Sequence, residues 1–253
     1  MRLVWALLTR TAYLHFKVGR LPKSDRVAYR AYRQMIGCRL LCRILGIEVR
    51  TEGNIPENGG MLVISNHFGV LDPLALATAL PVAFVGKAEI RKWPLLGWVS
   101  AEHGLVFVHR GRPTTVSRFT DNVEMRLDSG INVLAFPEGT TSPDESILPF
   151  KTGVFASIAG SPGGGILPVY LAVDHVEGLP AIGSVRKRVV WADPELPFLR
   201  HCWDLIGLKK VGMTVRFGEV IAVGDRDRKE LAQVTREAVE SLRHGKGVAM
   251  ISR

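Results

Sequence analysis

The chain has 253 residues, 47% of them apolar and 23% charged, which excludes a disordered tail and a small disulfide-stapled domain. Its net charge is +9, and the excess lies in one region. Residues 1–50 contain eleven Lys and Arg against Asp25 and Glu48, whereas residues 51–253 contain 22 basic and 22 acidic side chains. The sequence therefore predicts a basic leader over residues 1–50 and a neutral globular body over residues 51–253.

The leader pattern predicts two amphipathic helices, over residues 2–17 and 25–46. Basic residues alternate there with large apolar ones such as Trp5 and Phe16, which is typical of helices that lie on an anionic membrane surface. Arginines interrupt each apolar run, so neither helix is predicted to span a bilayer. A nucleic-acid-binding arm is disfavoured because such arms are basic and polar. A leader that packs on the body with its charges in water remains the alternative.

Seven short apolar runs in the body predict buried strands, at residues 61–65, 83–86, 105–108, 131–136, 166–173, 189–192 and 213–217. Helical patterns over residues 114–127 and 226–243 lie among them. Strands that alternate with helices predict an α/β fold with a mixed, largely parallel central sheet flanked by helices.

Three cysteines are present, and two of them, Cys38 and Cys42, share one face of the second leader helix. An odd count without histidines at ligand spacing argues against a disulfide framework or a zinc site. We expect both side chains to be buried thiols.

A polar segment from Ser65 to Pro73 directly follows the first predicted strand. Open α/β sheets bind ligands at the carboxyl ends of their strands. Within the segment, His67 suits proton transfer near neutral pH, and Asp72, five positions later, can reach the imidazole and fix its tautomer. The pair is a candidate catalytic dyad; a histidine that only caps a helix beginning near Asp72 is the alternative.

Two other strand ends carry polar residues. The segment 136–140 (Phe-Pro-Glu-Gly-Thr) offers a carboxylate and an exposed backbone, with Lys151 shortly after it. Arg110 ends the third predicted strand, where its guanidinium could bind a phosphate or a carboxylate. Taken singly, each is also compatible with an ordinary turn or a solvated side chain.

The order and spacing of these segments resemble the glycerolipid acyltransferase family, over roughly residues 55–175. Asn66, His67 and Asp72 match the N-H-x4-D block of the family, and residues 136–140 match its F-P-E-G-T block. The G-x-x-F-[IV]-x-R block of the family is matched by Gly104, Phe107, Val108 and Arg110.

The resemblance implies transfer of a fatty acyl group from acyl-CoA or acyl carrier protein to a lysolipid hydroxyl, most simply 1-acyl-sn-glycerol 3-phosphate giving phosphatidic acid. His67, oriented by Asp72, would be the catalytic base. It implies no metal and no cofactor besides the acyl donor. The acceptor would be bound by Asn66, Arg110, Glu138, Gly139, Thr140 and Lys151.

One departure from the family pattern keeps the acceptor open. Thr141 stands where the F-P-E-G-T block is often followed by an arginine that binds the acceptor phosphate, and threonine cannot supply a guanidinium. A lysolipid without a terminal phosphate, such as lyso-ornithine lipid, is therefore a second candidate acceptor. A non-catalytic peripheral lipid-binding protein is the candidate from another class.

Members of the family often carry N-terminal amphipathic helices that dock on the membrane, which agrees with the basic leader. We therefore expect a membrane-associated protein, peripheral or monotopic, on the cytoplasmic face. Its predicted partners are an anionic membrane surface, the lysolipid and the acyl donor, and not nucleic acid.

Overall fold

A computed structural model describes residues 2–22, 24–93, 96–108, 113–142, 145–161, 163–191 and 195–245. Arg110 lies outside these ranges. For residues 2–8, which include Trp5, the structure describes the backbone and not the side chains.

The described elements alternate along the chain as the sequence predicts. The helices are α1 (Arg2–Gly19), α2 (Asp25–Leu45), α3 (Leu71–Ala79), α4 (Leu96–Glu102), α5 (Pro113–Asp128), α6 (Gly183–Lys187), α7 (Phe198–Ile206) and α8 (Arg228–Arg243). The strands are β1 (Ile47–Glu52), β2 (Met61–Ser65), β3 (Val82–Lys87), β4 (Val106–Val108), β5 (Asn132–Ala135), β6 (Gly165–Val176), β7 (Leu179–Pro180), β8 (Val211–Phe217) and β9 (Ile221–Ala222). Two 3₁₀ turns occur at Ala88–Lys92 and Phe155–Ser157.

The strands form one mixed sheet in the order β1-β8-β6-β2-β5-β3-β4, with β7 and β9 on the ends of β6. The pairs from β6 through β2, β5 and β3 to β4 are parallel, and β6 pairs with β8 in the antiparallel sense. Strand β2 lies between β5 and β6 in the middle of the sheet, and all five of its residues are buried. The predicted α/β class with a largely parallel sheet is confirmed.

Helices cover both faces of the sheet. Apolar side chains of α2, α3 and α7 pack on one face in a cluster that includes Cys42, Leu76 and Leu205. Side chains of α5 and α8 pack on the other face in a cluster that includes Val123 and Val239. The result is a three-layer arrangement with the sheet between two helical layers.

The strand predicted at residues 189–192 is wrong over residues 189–191, the part of it that the structure describes. Val189 and Val190 follow α6 without pairing to the sheet, and both are buried against the α2–α3–α7 side of the core. Trp191 instead donates its main-chain N–H to the carbonyl of Phe68, at 2.9 Å. An apolar run of this length indicates burial, and it does not distinguish a strand from a loop that packs on a core.

The leader is more closely joined to the body than its charge pattern indicates. Strand β1 crosses the expected boundary at residues 50 and 51 and pairs with β8 in parallel over six residues. Helix α2 buries Met35, Cys38 and Cys42. Burial raises the pKa of Cys38 to about 12 and that of Cys42 to about 11, as expected of thiols that serve as packing. Among the described residues, no helix is both long and apolar enough to cross a membrane.

A matched pair of substitutions tests how far the leader belongs to the core. Ile47→Ala should destabilise the protein by about 2–5 kcal/mol because Ile47 is 7% exposed in the core. Ile44→Ala, at a side chain 51% exposed, should change the free energy of unfolding by about 0.5 kcal/mol or less. Denaturant titration measures both, and equal effects would contradict the packing described here.

Candidate active site

The predicted site residues meet because β2 and β5 are neighbouring parallel strands. Ile64 of β2 is paired with Ala135 of β5, so the chain leaves both strands at the same edge of the sheet. His67 follows the end of β2 and Glu138 follows the end of β5. Strand β4, which precedes Arg110, lies two strands beyond β5.

His67 and Asp72 form a hydrogen-bonded pair. The distance from His67 Nδ1 to Asp72 Oδ2 is 2.7 Å, and the Asp72 side chain is completely buried, whereas the His67 side chain is 24% exposed. The carboxylate accepts from Nδ1–H, which fixes the tautomer and leaves Nε2 with a lone pair for a substrate proton. The geometry is that of a general base held by an orienting carboxylate.

The same carboxylate oxygen also folds the loop that carries His67. Asp72 Oδ2 accepts the main-chain N–H groups of Phe68 at 2.6 Å and of Gly69 at 2.9 Å. Asp72 lies in the first turn of α3, where a negative charge is favoured by the helix dipole. One oxygen therefore fixes both the imidazole and the backbone that presents it.

The exposed side of the His67 ring is limited by Phe136. The two rings stack with centroids 4.3 Å apart and planes inclined by 17°. Phe136 is the residue that follows β5, so the aromatic contact joins the two strand ends directly. Stacking of this kind restricts rotation of the imidazole and keeps Nε2 in one direction.

Glu138 joins the loop that carries His67 to the segment that contains Leu148. Its side chain is 2% exposed, Oε1 accepts the main-chain N–H of His67 at 2.8 Å, and Oε2 accepts that of Leu148 at 3.1 Å. Burial raises the pKa of Glu138 to about 7, against the opposing effect of these two N–H donors. This placement favours a role in holding the His67 backbone over contact with an acceptor head group.

Gly139 and Lys151 lie together beside Glu138. Gly139 has a φ of +70°, and a Cβ atom built there would be 2.6 Å from Lys151 Nζ. Glycine thus permits both the left-handed turn and the approach of the ammonium group. Lys151 N–H also donates to the carbonyl of Pro137 at 2.9 Å. Thr140 is exposed next to them.

Asn66 contacts the protein main chain. Its Nδ2 donates to the carbonyl of Leu171 at 3.0 Å, and its Oδ1 accepts the N–H of the same residue at 2.8 Å. Leu171 lies on β6, the neighbour of β2. The amide therefore continues the pairing of β2 with β6 past the end of the strand and fixes the start of the His67 loop.

Thr141 and Trp191 supply a contact that sequence reasoning did not find. The Thr141 hydroxyl donates to the carbonyl of Trp191, whose own N–H binds the carbonyl of Phe68. The loop after β5, the loop after α6 and the His67 loop are thereby tied together. The residues involved are about 50 and 120 positions apart, and no local pattern in the sequence pairs them.

Comparison with known proteins finds acyltransferases among the similar sequences. A family model described as Acyltransferase matches residues 46–172. A lyso-ornithine lipid O-acyltransferase of Brucella abortus (strain 2308) is 32% identical over 212 residues, 81% of this chain and 79% of that protein. A 1-acyl-sn-glycerol-3-phosphate acyltransferase of Neisseria gonorrhoeae is 32% identical over 197 residues, 78% of this chain and 72% of that protein.

A solved structure gives the same fold. The crystal structure of the 1-acyl-sn-glycerophosphate (LPA) acyltransferase PlsC from Thermotoga maritima superimposes with a TM-score of 0.63 at 21% identity, covering 96% of this chain and 90% of that one. The match of the family model and the level of identity to the curated relatives establish that the chain belongs to the acyltransferase family.

Substitutions at Asp72 separate its charge from its role in folding the loop. Asp72→Asn keeps a carbonyl oxygen for the N–H groups of Phe68 and Gly69, so we expect a smaller loss of stability than for Asp72→Ala and a rate reduced by about 10² or more. Asp72→Ala leaves two buried N–H groups unpaired, at about 1–3 kcal/mol each. Melting curves and initial rates measure these effects, with the exposed Asp225→Asn as control. Full activity of Asp72→Asn would contradict the dyad.

Glu138→Gln tests the buried carboxyl by the pH dependence of stability. The pKa of Glu138 is raised from 4.5 to about 7 in the folded protein, so its stabilising proton is fully bound below pH 4.5 and is lost as the pH rises through 7. Glutamine has no such proton. We expect the melting temperature of Glu138→Gln to fall less than that of the wild type between pH 5 and pH 8.

The exposed Glu219→Gln is the matched control and should retain the wild-type dependence. At pH 5, Glu138→Gln should lower the free energy of unfolding by about 1–3 kcal/mol, because its amide nitrogen faces an N–H donor, and this deficit should shrink as the pH rises to 8. If the melting temperatures of Glu138→Gln and the wild type change with pH in the same way, the pKa of Glu138 is not raised in the folded protein.

Proposed function

We propose that the protein is a lysolipid O-acyltransferase that moves a fatty acyl group from acyl-CoA or acyl carrier protein to the free hydroxyl of a lysolipid. The observation that carries the proposal is the His67–Asp72 pair at the carboxyl end of β2, with His67 24% exposed, in a chain that belongs to the acyltransferase family. Both groups are intact and hydrogen-bonded, which argues against a non-catalytic lipid-binding protein.

In the proposed mechanism, His67 Nε2 removes the proton from the acceptor hydroxyl as its oxygen attacks the thioester carbonyl carbon. The tetrahedral intermediate then expels the thiolate by breaking the carbon–sulfur bond, and the imidazolium returns its proton to the sulfur. General-base assistance of this kind is worth about 10²–10⁴ in rate. The buried carboxylate of Asp72 stabilises the imidazolium while it exists. No metal or further cofactor takes part in this scheme.

The acceptor that the family most simply suggests is 1-acyl-sn-glycerol 3-phosphate, with phosphatidic acid as the product. The relative in Neisseria gonorrhoeae carries the name of that activity. Lys151, whose ammonium lies over Gly139, is a candidate to contact the phosphate, together with Thr140. Arg110 keeps its proposed role as a phosphate ligand from the sequence pattern alone.

A second acceptor, lyso-ornithine lipid, is favoured by the placement of Thr141. The hydroxyl of Thr141 binds the Trp191 carbonyl, so this position contributes a structural contact where the family often has an arginine for phosphate. A site with one fewer guanidinium suits a head group with less negative charge. Relatives in Brucella abortus and Pseudomonas aeruginosa are named for lyso-ornithine lipid acylation.

Both acceptors reside in membranes, and we propose that the protein works as a peripheral enzyme on the cytoplasmic leaflet. The support is the basic leader, whose helix α1 exposes Tyr13 and Phe16 while Leu14 and Val18 pack inward. Basic residues near an anionic leaflet contribute about 1 kcal/mol each to binding. Acyl-CoA and acyl carrier protein are the proposed soluble partners.

His67→Ala tests the activity and a panel of acceptors tests its specificity. With labelled acyl-CoA or acyl-loaded carrier protein as the donor, the wild type should acylate 1-acyl-sn-glycerol 3-phosphate or lyso-ornithine lipid. The kcat/KM of the preferred acceptor should exceed that of the other by about tenfold or more, a difference of about 1.4 kcal/mol. His67→Ala should lose about 10²–10⁴ in rate, and the loss of one donor to the buried Asp72 should lower the melting temperature while the protein stays folded at the assay temperature. The exposed His244→Ala is the matched control. Acyl transfer by His67→Ala at the wild-type rate would contradict the proposed mechanism.

A further inference from the structure

Helix α7 exposes an apolar stripe that the reaction chemistry does not use. Leu199 and Trp203 are each 73% exposed and Ile206 is 47% exposed. Their spacing of four and three residues places them on one line along the helix. His201 and Leu205 lie on the opposite side and are buried against the body. The stripe therefore faces outward from a helix whose other face is already packed.

The stripe belongs to a larger surface, which we call the α6–α7 surface: residues 179–188 and 199–210. Ile182 is 71% exposed and Leu179 is 55% exposed. Among the large apolar side chains described, the three most exposed, Ile182, Leu199 and Trp203, all lie on this surface; no other exceeds 59%. Such a concentration marks an interaction surface, whereas single exposed apolar residues need no explanation.

Hydrogen bonds and a shared apolar cluster join the two parts of the α6–α7 surface. The side chain of Glu177, in the turn before β7, accepts the N–H groups of Lys209 at 2.6 Å and Lys210 at 3.1 Å, just after α7. At the other end, Val189, just after α6, is buried in the same apolar cluster as Leu205 of α7. These contacts connect the segment that contains Leu179 and Ile182 to α7.

Charge favours a lipid bilayer as the occupant of this surface. Residues 179–210 contain six basic and three acidic side chains, whereas residues 51–253 as a whole are neutral. Lys187, Arg188, Lys209 and Lys210 are exposed on elements that border the stripe. An apolar stripe with tryptophan at its centre and basic residues around it is the pattern of an interfacial membrane helix.

The leader and α7 share one side of the protein. Helix α2 and helix α7 pack on the same face of the sheet. The end of α2 also reaches the residues after α7: the Gly46 carbonyl accepts the N–H of Val211 at 3.0 Å, and Lys210 Nζ is 3.2 Å from Glu48. A bilayer that meets the leader is therefore close to the α6–α7 surface.

The inner face of α7 is one contact away from the loop that carries His67. Phe198, at the start of α7, packs against Trp191 with ring centroids 5.1 Å apart and against Trp93 at 4.6 Å. The N–H of Trp191 binds the carbonyl of Phe68, next to His67. We propose that the α6–α7 surface is a second membrane contact, independent of residues 1–50, that holds the catalytic edge of the sheet at an anionic bilayer, where lysolipid resides. This inference rests on the proposed function.

The double variant Leu199→Ser/Trp203→Ser tests the proposal in the full chain. We measure binding to vesicles of phosphatidylcholine with about 30% phosphatidylglycerol, an anionic lipid. The affinity should fall by about tenfold or more, because two large apolar side chains no longer enter the interface. The rate toward lysolipid in those vesicles should fall in parallel. The rate toward a short-chain, water-soluble lysolipid should stay unchanged, and so should the melting temperature.

Met125→Ser is the matched control, because Met125 is 59% exposed on α5 in the opposite layer. It should alter neither vesicle binding nor either rate. A second readout is the quenching of tryptophan fluorescence by brominated lipids, in which the wild type should be quenched more than Trp203→Phe.

Unchanged vesicle binding by the double variant would overturn the proposal. So would a dimer in the wild type that becomes a monomer in the double variant without loss of vesicle binding, since the stripe would then be a contact between copies. Failure of the proposed function has a different signature: vesicle binding that depends on Trp203 without acylation of any lysolipid by the wild type.

Discussion

The site depends on one buried oxygen. Asp72 Oδ2 receives the imidazole N–H of His67 and the main-chain N–H groups of Phe68 and Gly69, all within 2.9 Å, in a side chain without exposed surface. A buried carboxylate is costly unless it is hydrogen-bonded. All three donors are on Oδ2, whereas Oδ1 is buried without a hydrogen-bond partner in the described residues. The donors on Oδ2 also shape the loop, so one oxygen positions both the imidazole and the backbone that carries it. The helix α3 that carries Asp72 is held in turn by the core between α2 and the sheet.

Around this centre, two residues that the family resemblance implies as acceptor ligands, Asn66 and Glu138, bind main-chain groups of neighbouring segments. Glu138 binds the N–H groups of His67 and Leu148, and Asn66 binds both main-chain groups of Leu171. These contacts fix the position of His67 relative to β5 and β6. In an enzyme that depends on the placement of two substrates, a small displacement of the base lowers the reaction rate strongly. The polar residues of the acyltransferase motifs therefore act partly by holding one another.

The leader and α7 make the catalytic body asymmetric. Among the described side chains, α2 and α7 expose five large apolar residues, whereas α5 and α8 expose one, Met125. The membrane proposals follow from this asymmetry and from the position of the basic residues. Charge alone located the leader, but the packing of α2 and the pairing of β1 show that the second half of the leader is also part of the fold.

The sequence by itself determined the α/β class, six of the seven predicted strands within a few residues, and the identity of the dyad, because apolar periodicity and motif spacing are local properties. Residues 189–192 were misassigned because apolar runs report burial and not pairing. Tertiary structure alone decided that β2 and β5 are neighbours, that Glu138 faces the His67 backbone and that Thr141 binds Trp191. The physical reason is that these contacts join residues far apart in the chain, and their partners are chosen by strand order and packing.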